Sequence, residues 1–177
     1  MPYLLWPVFG RSSGEILPVS APPHPEFLRR AIQLATANVT SGAGGPFGAV
    51  IVRDGRIVGE GVNTVTTAHD PTAHGEVNAI RAAARALGSF SLAGCQLYTS
   101  CEPCPMCLAA AYWARVDAIY YGASAADAAR AGFDDAVFYE ELRKPAGERK
   151  VPSKQLLADE AWTSFAAWLG SANKVEY

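Results

Sequence analysis

Residues 96–122 read QLYTSCEPCPMCLAAAYWARVDAIYYG: an apolar run, a cysteine and proline segment, an alanine-rich stretch and a second apolar run. The apolar runs at 96–100 and 118–122 predict strands, and Glu102-Pro103 predicts the start of a helix between them. A strand, a helix and a strand in this order typically form a parallel pair joined by a crossover. The segment therefore predicts an α/β fold in which helices cover an open sheet.

The residues before this unit extend the same alternation. A helical pattern begins at Pro25 and ends at the glycines of 42–45. Apolar runs rich in β-branched residues at 47–52 and 56–62 predict two strands, and Asp54-Gly55 between them suits the tight turn of a hairpin. These strands bring the number predicted from residue patterns to four.

Further helices are expected on both sides of the cysteine segment. Asp70-Pro71-Thr72 is a start signal for a helix that ends at Gly88. Helical patterns recur at 127–142 and 154–169. The chain after the fourth predicted strand is therefore expected to be mostly helical.

The length of 177 residues suits one domain with one core. Residues 1–23 combine short apolar runs with proline, serine and glycine and predict an N-terminal extension, which leaves residues 24–177 for the domain. This extension has no positive residue before its apolar run, so it does not predict a signal peptide. No stretch reaches the ~18 apolar residues needed to span a bilayer. We therefore expect a cytoplasmic protein without a membrane partner.

The net charge of −2 excludes a strongly basic surface. No run of five like charges occurs, and nothing resembles the lysine and arginine stripe with which proteins neutralise a phosphate backbone. The composition therefore predicts a small, uncharged substrate rather than a nucleic acid.

Four residues carry the chemistry that the sequence predicts: His74, Glu76, Cys104 and Cys107. All four cysteines of the chain fall between positions 95 and 107, which suits a metal site in a reducing compartment better than a set of disulfides. Cys104 and Cys107 share one face of a predicted helix, whose positive end favours the thiolates that zinc binds. Because His74 lies in the first turn of the preceding helix, the two helix starts can converge on one zinc ion.

Three protein ligands leave the fourth position of a tetrahedral zinc ion for water, as in catalytic sites. Glu76 does not face the same direction as His74 on a helix, so we assign it to acid/base catalysis rather than to the metal. A redox pair and half of a structural zinc site are the alternatives. A structural site would need a fourth ligand, for which Cys101 is the nearby candidate; we expect Cys95 and Cys101 to be buried small apolar residues instead.

The pattern His-x-Glu followed by Pro-Cys-x-x-Cys is a signature of zinc nucleobase deaminases. From about residue 24 to residue 177 the chain resembles the cytidine-deaminase-like superfamily and, within it, the bacterial guanine deaminases. Gly75 departs from the alanine usual in that family. Five segments carry the resemblance: GGPFGAV at 44–50, DPTAHGEV at 70–77, SCEPCPMC at 100–107, AGFDD at 131–135 and NKVEY at 173–177. The first three also occur in tRNA adenosine deaminases, and the last two distinguish the guanine deaminases.

The resemblance implies a three-layer α/β/α sandwich around a central mixed sheet of about five strands. It also implies a zinc cofactor and hydrolysis of guanine to xanthine and ammonia, extending to related amino-oxo heterocycles. In the implied pocket Phe47 stacks on the purine, Asn63 binds its oxo side and Asp135 recognises its N–H edge. From the residues alone, Phe47 could equally belong to the core, Asn63 to a turn and Asp135 to a helix cap.

The resemblance further implies a homodimer whose C-terminal segments cross over. Tyr177 would then complete the pocket of the neighbouring subunit, and Glu140 and Glu141 are candidates for a second proton carrier. Two other functions stay open at this point. One is deamination of adenosine in tRNA or of cytosine or cytidine, and the other is a structural zinc module without catalysis.

Overall fold

The computed structural model describes residues 22–176. Tyr177 therefore lies outside the described residues, and so does the expected N-terminal extension at 1–23 except for its last two residues. The elements follow in chain order: α1 (Pro25–Thr40), β1 (Gly48–Arg53), β2 (Arg56–Val62), α2 (Val65–Ala68), α3 (Gly75–Leu87), β3 (Cys95–Cys101), α4 (Pro105–Ala114), β4 (Ala118–Ala123), α5 (Ala125–Arg130), α6 (Asp135–Arg143), a 3₁₀ turn (Ala146–Glu148) and α7 (Ala158–Gly170).

The sheet has the order β2-β1-β3-β4 and is mixed, as expected. Strand β1 is antiparallel to both β2 and β3, and β4 is parallel to β3. The hairpin between β1 and β2 turns at Asp54 and Gly55, whose φ angles are 50° and 71°. Two consecutive positive φ angles are what a type I′ turn requires, so the sequence prediction of this hairpin is confirmed.

The described residues form four strands, and the expected number of about five is wrong. All four strands from residue patterns are present, and the fifth came from the family resemblance. After β4 the chain forms helices and then an unpaired segment over residues 151–157. Pro152 in this segment lacks a backbone N–H for a ladder, and no alternating apolar run surrounds it.

Helices cover both faces of the sheet, which confirms the three-layer architecture. Successive side chains of a strand point to opposite faces. Ala49, Ile51 and Leu97 accordingly pack with alanines of α3 and α4. Val50, Val52 and Tyr98 pack on the other face with apolar residues of α1, namely Phe27, Leu28 and Leu34.

The start of α3 lies directly against the backbone of β2 at Gly61. A Cβ atom at this position would come within 2.3 Å of the Gly75 carbonyl oxygen, so only glycine permits this approach. Gly75 in turn packs on the Phe47 carbonyl, from which a Cβ atom would be 3.1 Å away. The sheet thereby places the first turn of α3 beside the loop that precedes β1.

Several helix boundaries differ from the sequence prediction. The short helix α2 was not predicted, and α4 begins at Pro105 rather than at Glu102. The helical pattern at 127–142 is broken into α5 and α6 around Gly132, whose φ of 92° an ordinary side chain would disfavour. None of the described helices is long and apolar enough to cross a membrane.

Candidate active site

The predicted zinc ligands come together at the starts of α3 and α4. His74 is the N-cap of α3, Cys104 is the N-cap of α4, and Cys107 lies in the first turn of α4. The sequence placed His74 within the first turn of its helix; the extended backbone at His74 and Cys104 instead aims both side chains across the gap between the helices. One ligand atom from each of the three residues lies within 4.8 Å of the others.

The spacing of these atoms fits zinc. His74 Nδ1 is 3.6 Å from the Cys104 sulfur and 3.5 Å from the Cys107 sulfur. Zinc bonds of about 2.0 Å to nitrogen and about 2.3 Å to sulfur, at a tetrahedral angle, place nitrogen and sulfur about 3.5 Å apart. Two sulfurs and one imidazole are also the soft and borderline ligands that zinc prefers.

The two thiols differ sharply in acidity. A hydrogen bond from Cys107 lowers the pKa of Cys104 to about 4, and His74 acts in the same direction. The same pairing, together with burial, raises the pKa of Cys107. Cys104 is therefore the thiolate of the pair, and a divalent cation that binds both sulfurs displaces the proton of Cys107.

Glu76 is the carboxylate nearest to the cluster, and it is 4% exposed. Its Oε1 accepts a hydrogen bond from the Thr99 hydroxyl at 2.9 Å, and its Oε2 accepts one from the Cys107 thiol at 3.3 Å. Burial raises the pKa of Glu76, so the group holds a proton more readily than an exposed glutamate. It lies beside the three ligands without completing their set.

A cavity of about 250 Å³ opens onto this cluster. Two of the three candidate metal ligands, the candidate catalytic residue and three of the four residues expected to hold the substrate line this cavity. The fourth of the latter, Tyr177, lies outside the described residues. This volume is just below the usual ligand-pocket range of about 300–1,000 Å³, which suits a ligand as small as a free purine. The lining residues are Gly45, Phe47, Asn63, Val65, Thr66, His74, Glu76, Glu102, Cys104, Phe133 and Asp135.

Two aromatic rings form one side of the cavity. Phe47 and Phe133 meet edge to face, with ring centroids 4.7 Å apart and an angle of 79° between the rings. Phe47 is half-buried, so part of its ring is available to the cavity. Such a surface suits the flat face of a heterocycle.

Asn63 is held in place by the buried side chain of Asn38 from α1. The Asn38 amide donates to the Gly45 carbonyl at 2.9 Å and to the Asn63 carbonyl at 2.8 Å. The Asn63 side-chain oxygen accepts from the Val65 backbone at 3.2 Å, and no described residue accepts from its amide nitrogen. Gly44 packs so closely that a Cβ there would come within 2.1 Å of the Asn63 carbonyl.

Asp135 begins α6 and is half-buried at the cavity wall. Burial raises the pKa of its carboxyl group. The capping alternative does not apply to Asp135, because Asp134 occupies the N-cap position. Its carboxylate is therefore available to a ligand.

The two candidates for a second proton carrier do not line this cavity in the described chain. Glu140 pairs with Arg143, and Glu141 pairs with Lys144 and accepts from the Lys150 backbone at 2.7 Å. Their role stays a prediction. Cys95 and Cys101 are both buried, as expected.

Sequence reasoning gave no role to several residues of the site. Glu102 and Phe133 line the cavity, and Thr99 holds Glu76. The detectable signal for Thr99 was a hydroxyl residue within an apolar strand. Phe133 follows the left-handed Gly132, which turns the chain back over the cavity. Glu102 carried no signal beyond its place before Pro103.

Known proteins match this chain in both sequence and structure. Residues 22–123 match the family described as the cytidine and deoxycytidylate deaminase zinc-binding region. The guanine deaminase of Bacillus subtilis (strain 168) is 57% identical over 154 residues, which are 87% of this chain and 99% of that protein. An X-ray structure of guanine deaminase from Bacillus subtilis has 56% identity and a TM-score of 0.85, and the match covers 88% of this chain and 99% of the other.

Two other relatives match this chain with lower identity or over a shorter stretch. A structure of guanine deaminase from Nitrosomonas europaea is 28% identical with a TM-score of 0.60, over 67% of this chain and 76% of the other. The tRNA-specific adenosine deaminase of Agrobacterium fabrum is 47% identical over 78 residues, which are 44% of this chain and 51% of that protein. The predicted likeness to bacterial guanine deaminases is thus confirmed. The chain belongs to the cytidine and deoxycytidylate deaminase zinc-binding family.

Proposed function

We propose that the protein is a zinc-dependent aminohydrolase that converts guanine and water to xanthine and ammonia. The observation that carries this proposal is the single cavity in which the His74 and Cys104 cluster and Glu76 face Phe47, Asn63 and Asp135. The extent of the match to the guanine deaminase of Bacillus subtilis supports guanine over other bases.

His74, Cys104 and Cys107 would hold the zinc ion. Zinc bound there supplies a Lewis acid that lowers the pKa of water, so that a nucleophile is present at neutral pH. Attack on the ring carbon that bears the amino group requires one proton at a ring nitrogen and then another at the departing nitrogen. Glu76 would accept one proton from the attacking water and pass it to the ring nitrogen. It would then accept the second proton from the hydroxyl now on the ring carbon and pass it to the amino nitrogen, which leaves as ammonia. Its carboxylate suits this role because it is buried beside the ligands.

The substrate would lie against the ring of Phe47. Guanine carries N–H donors at N1 and at its 2-amino group beside an acceptor at O6. The Asp135 carboxylate can accept hydrogen bonds from the N–H groups, and the Asn63 amide can donate one to O6. Adenine presents a different order of donors and acceptors, so it would leave these buried groups unpaired.

The alternatives have less support. An enzyme that edits RNA needs a basic surface, and this chain has a net charge of −2. A structural zinc module has no use for Glu76, a buried carboxylate at the end of an open cavity.

We also propose that the C-terminal segment is exchanged between the subunits of a homodimer. All described residues from 151 to 176 are exposed. On α7, Trp162 and Phe165 are each 60% exposed, and Trp168 is 41% exposed. These rings recur at helical spacing and form an apolar face that nothing in the described chain covers. A second copy would bury this face and bring Tyr177 to the neighbouring pocket.

An ammonia-release assay tests the proposed reaction. The purified protein is incubated with guanine, adenine, cytosine, cytidine and tRNA, and xanthine is quantified in parallel with ammonia. We expect equal amounts of xanthine and ammonia from guanine and none of the other substrates to approach that rate. Comparable rates with adenine or tRNA would contradict the proposal.

A further inference from the structure

Helix α6 carries Asp135 but is only loosely attached to the domain. None of its residues is fully buried. Most side-chain hydrogen bonds of α6 in the described chain stay within residues 140–150. The exception is Tyr139, whose hydroxyl donates to the Pro103 carbonyl at 2.8 Å. This hydrogen bond is the polar link from α6 to the segment that begins α4.

The hydrogen bond joins a residue near Asp135 on α6 to the residue before Cys104. Tyr139 lies four residues after Asp135, so both side chains are on the same face of α6, about 6 Å apart along its axis. Pro103 immediately precedes Cys104, and its carbonyl belongs to the peptide that leads into that ligand. The hydrogen bond therefore sets the height and rotation of Asp135 relative to the metal-binding cluster.

No other hydrogen bond, ion pair or ring contact of a described α6 residue reaches α4 or the sheet. The edge-to-face contact between Phe133 and Phe47 lies before the helix begins and leaves its rotation free. The ion pairs of Glu140 and Glu141 join residues close in sequence and do not reach the sheet or α4. Rotation of α6 by a fraction of a turn would move the Asp135 carboxylate out of line with a bound base.

We propose that Tyr139 is a positioning residue for substrate recognition, acting through Asp135. Its hydroxyl, bonded to the Pro103 carbonyl, holds α6 and with it the carboxylate of Asp135 in place relative to Cys104 on the same cavity wall. The inference rests on the proposed role of Asp135 in binding the base.

The test is Tyr139→Phe, which keeps the ring and removes only the hydroxyl. Loss of one neutral hydrogen bond corresponds to about a three- to tenfold effect. We expect KM for guanine to rise about three- to tenfold, with kcat within about twofold and with the zinc content and melting temperature of the native protein. Tyr121→Phe is the matched control, because Tyr121 is 48% exposed and its hydroxyl has no hydrogen-bond partner within residues 22–176; its KM should equal that of the native protein.

A double-mutant cycle separates this inference from the proposed function. Asp135→Asn alone should raise KM for guanine, and adding Tyr139→Phe to it should change KM by less than about twofold, because the two residues act as a unit. An equal Tyr139→Phe effect in both backgrounds would overturn the inference, as would an unchanged KM or a loss of zinc in Tyr139→Phe. A normal KM in Asp135→Asn would instead contradict the proposed substrate contact, and the inference would fall with it.

Discussion

Glu76 holds its carboxylate between the Thr99 hydroxyl and the Cys107 sulfur, with 4% of the residue exposed. Burying a carboxylate is unfavourable unless its oxygens are hydrogen-bonded, and here each oxygen has one partner. Thr99 is itself completely buried on β3, so the strand determines where the carboxylate lies. At the residue scale, the proposed proton carrier is thus held by the sheet as well as by its own helix.

The first prediction concerns the charge of this group. Glu76→Gln keeps the shape of the side chain but cannot carry a proton, so turnover of guanine should fall by about 10²–10⁴ while the metal is retained. Turnover and zinc content are measured on the same preparation. Glu148→Gln, at an exposed position, is the control and should have native turnover. Native turnover in Glu76→Gln would assign proton transfer to another group.

A second prediction concerns the ligands. Cys104→Ala removes the thiolate of the cluster, so zinc should fall well below one ion per subunit, as measured by elemental analysis. Cys95→Ala removes another buried thiol that lies outside the cluster, and it should keep stoichiometric zinc. Full zinc content in Cys104→Ala would show that the ligand set is wrong.

At the element scale, the contact between α1 and the loop before β1 sets the shape of the cavity. One amide, that of Asn38, links the carbonyls of Gly45 and Asn63 and so holds two cavity-lining residues together. Helix α1 thereby holds one part of the cavity wall, and α6 carries another part, Asp135.

A third prediction follows from this contact. Asn38→Ala leaves the Asn63 carbonyl without its donor and takes one of two donors from the Gly45 carbonyl, so the free energy of unfolding should fall by about 1–3 kcal/mol. KM for guanine should rise in parallel, because the loop that carries Phe47 loses its anchor. Urea unfolding and steady-state kinetics measure the two effects. Gln33→Ala, at an exposed position on the same helix, is the control and should change neither quantity. An unchanged KM in Asn38→Ala would show that α1 does not influence substrate binding.

At the scale of the whole molecule, α7 is a helix with an aromatic face and no cover in the described chain. Burying each aromatic ring removes on the order of 150–250 Å² from water. Because no described residue covers the rings of α7, only a second copy or another partner could bury this area. The proposed exchange of C-terminal segments would supply it and would also make each cavity depend on two chains.

A fourth prediction tests this dependence at the end of the chain. Deleting residues 175–177 should lower guanine turnover strongly while the mass of the dimer and the melting temperature stay close to native. The reason is that the apolar face of α7, which would hold the dimer, is left intact, whereas Tyr177 is removed. Turnover, mass in solution and melting temperature are measured together on native and shortened protein. Full activity after the deletion would contradict the docking of Tyr177.

Local sequence was sufficient to predict most of the elements and to pick out the three residues that the structure brings together as a candidate metal site. Strand periodicity, the Asp54-Gly55 turn and the spacing of Cys104 and Cys107 are all set by neighbours within a few residues, so they could be predicted directly. Glu76 was predicted from its place two residues after His74 in the His-x-Glu pattern, although the structure places His74 at the extended N-cap of α3 rather than within the helix.

Contacts between distant segments decided the rest. The partnership of Thr99 with Glu76 and that of Asn38 with Asn63 span 23 and 25 residues, and nothing local in the sequence specifies them. Glu102 and Phe133 meet at one cavity only because β3 and the turn at Gly132 bring them there. The candidate ligands could be predicted from the sequence because each belongs to a short local motif at a helix start. The walls of the cavity could not, because they are made from distant segments that only the tertiary structure brings together.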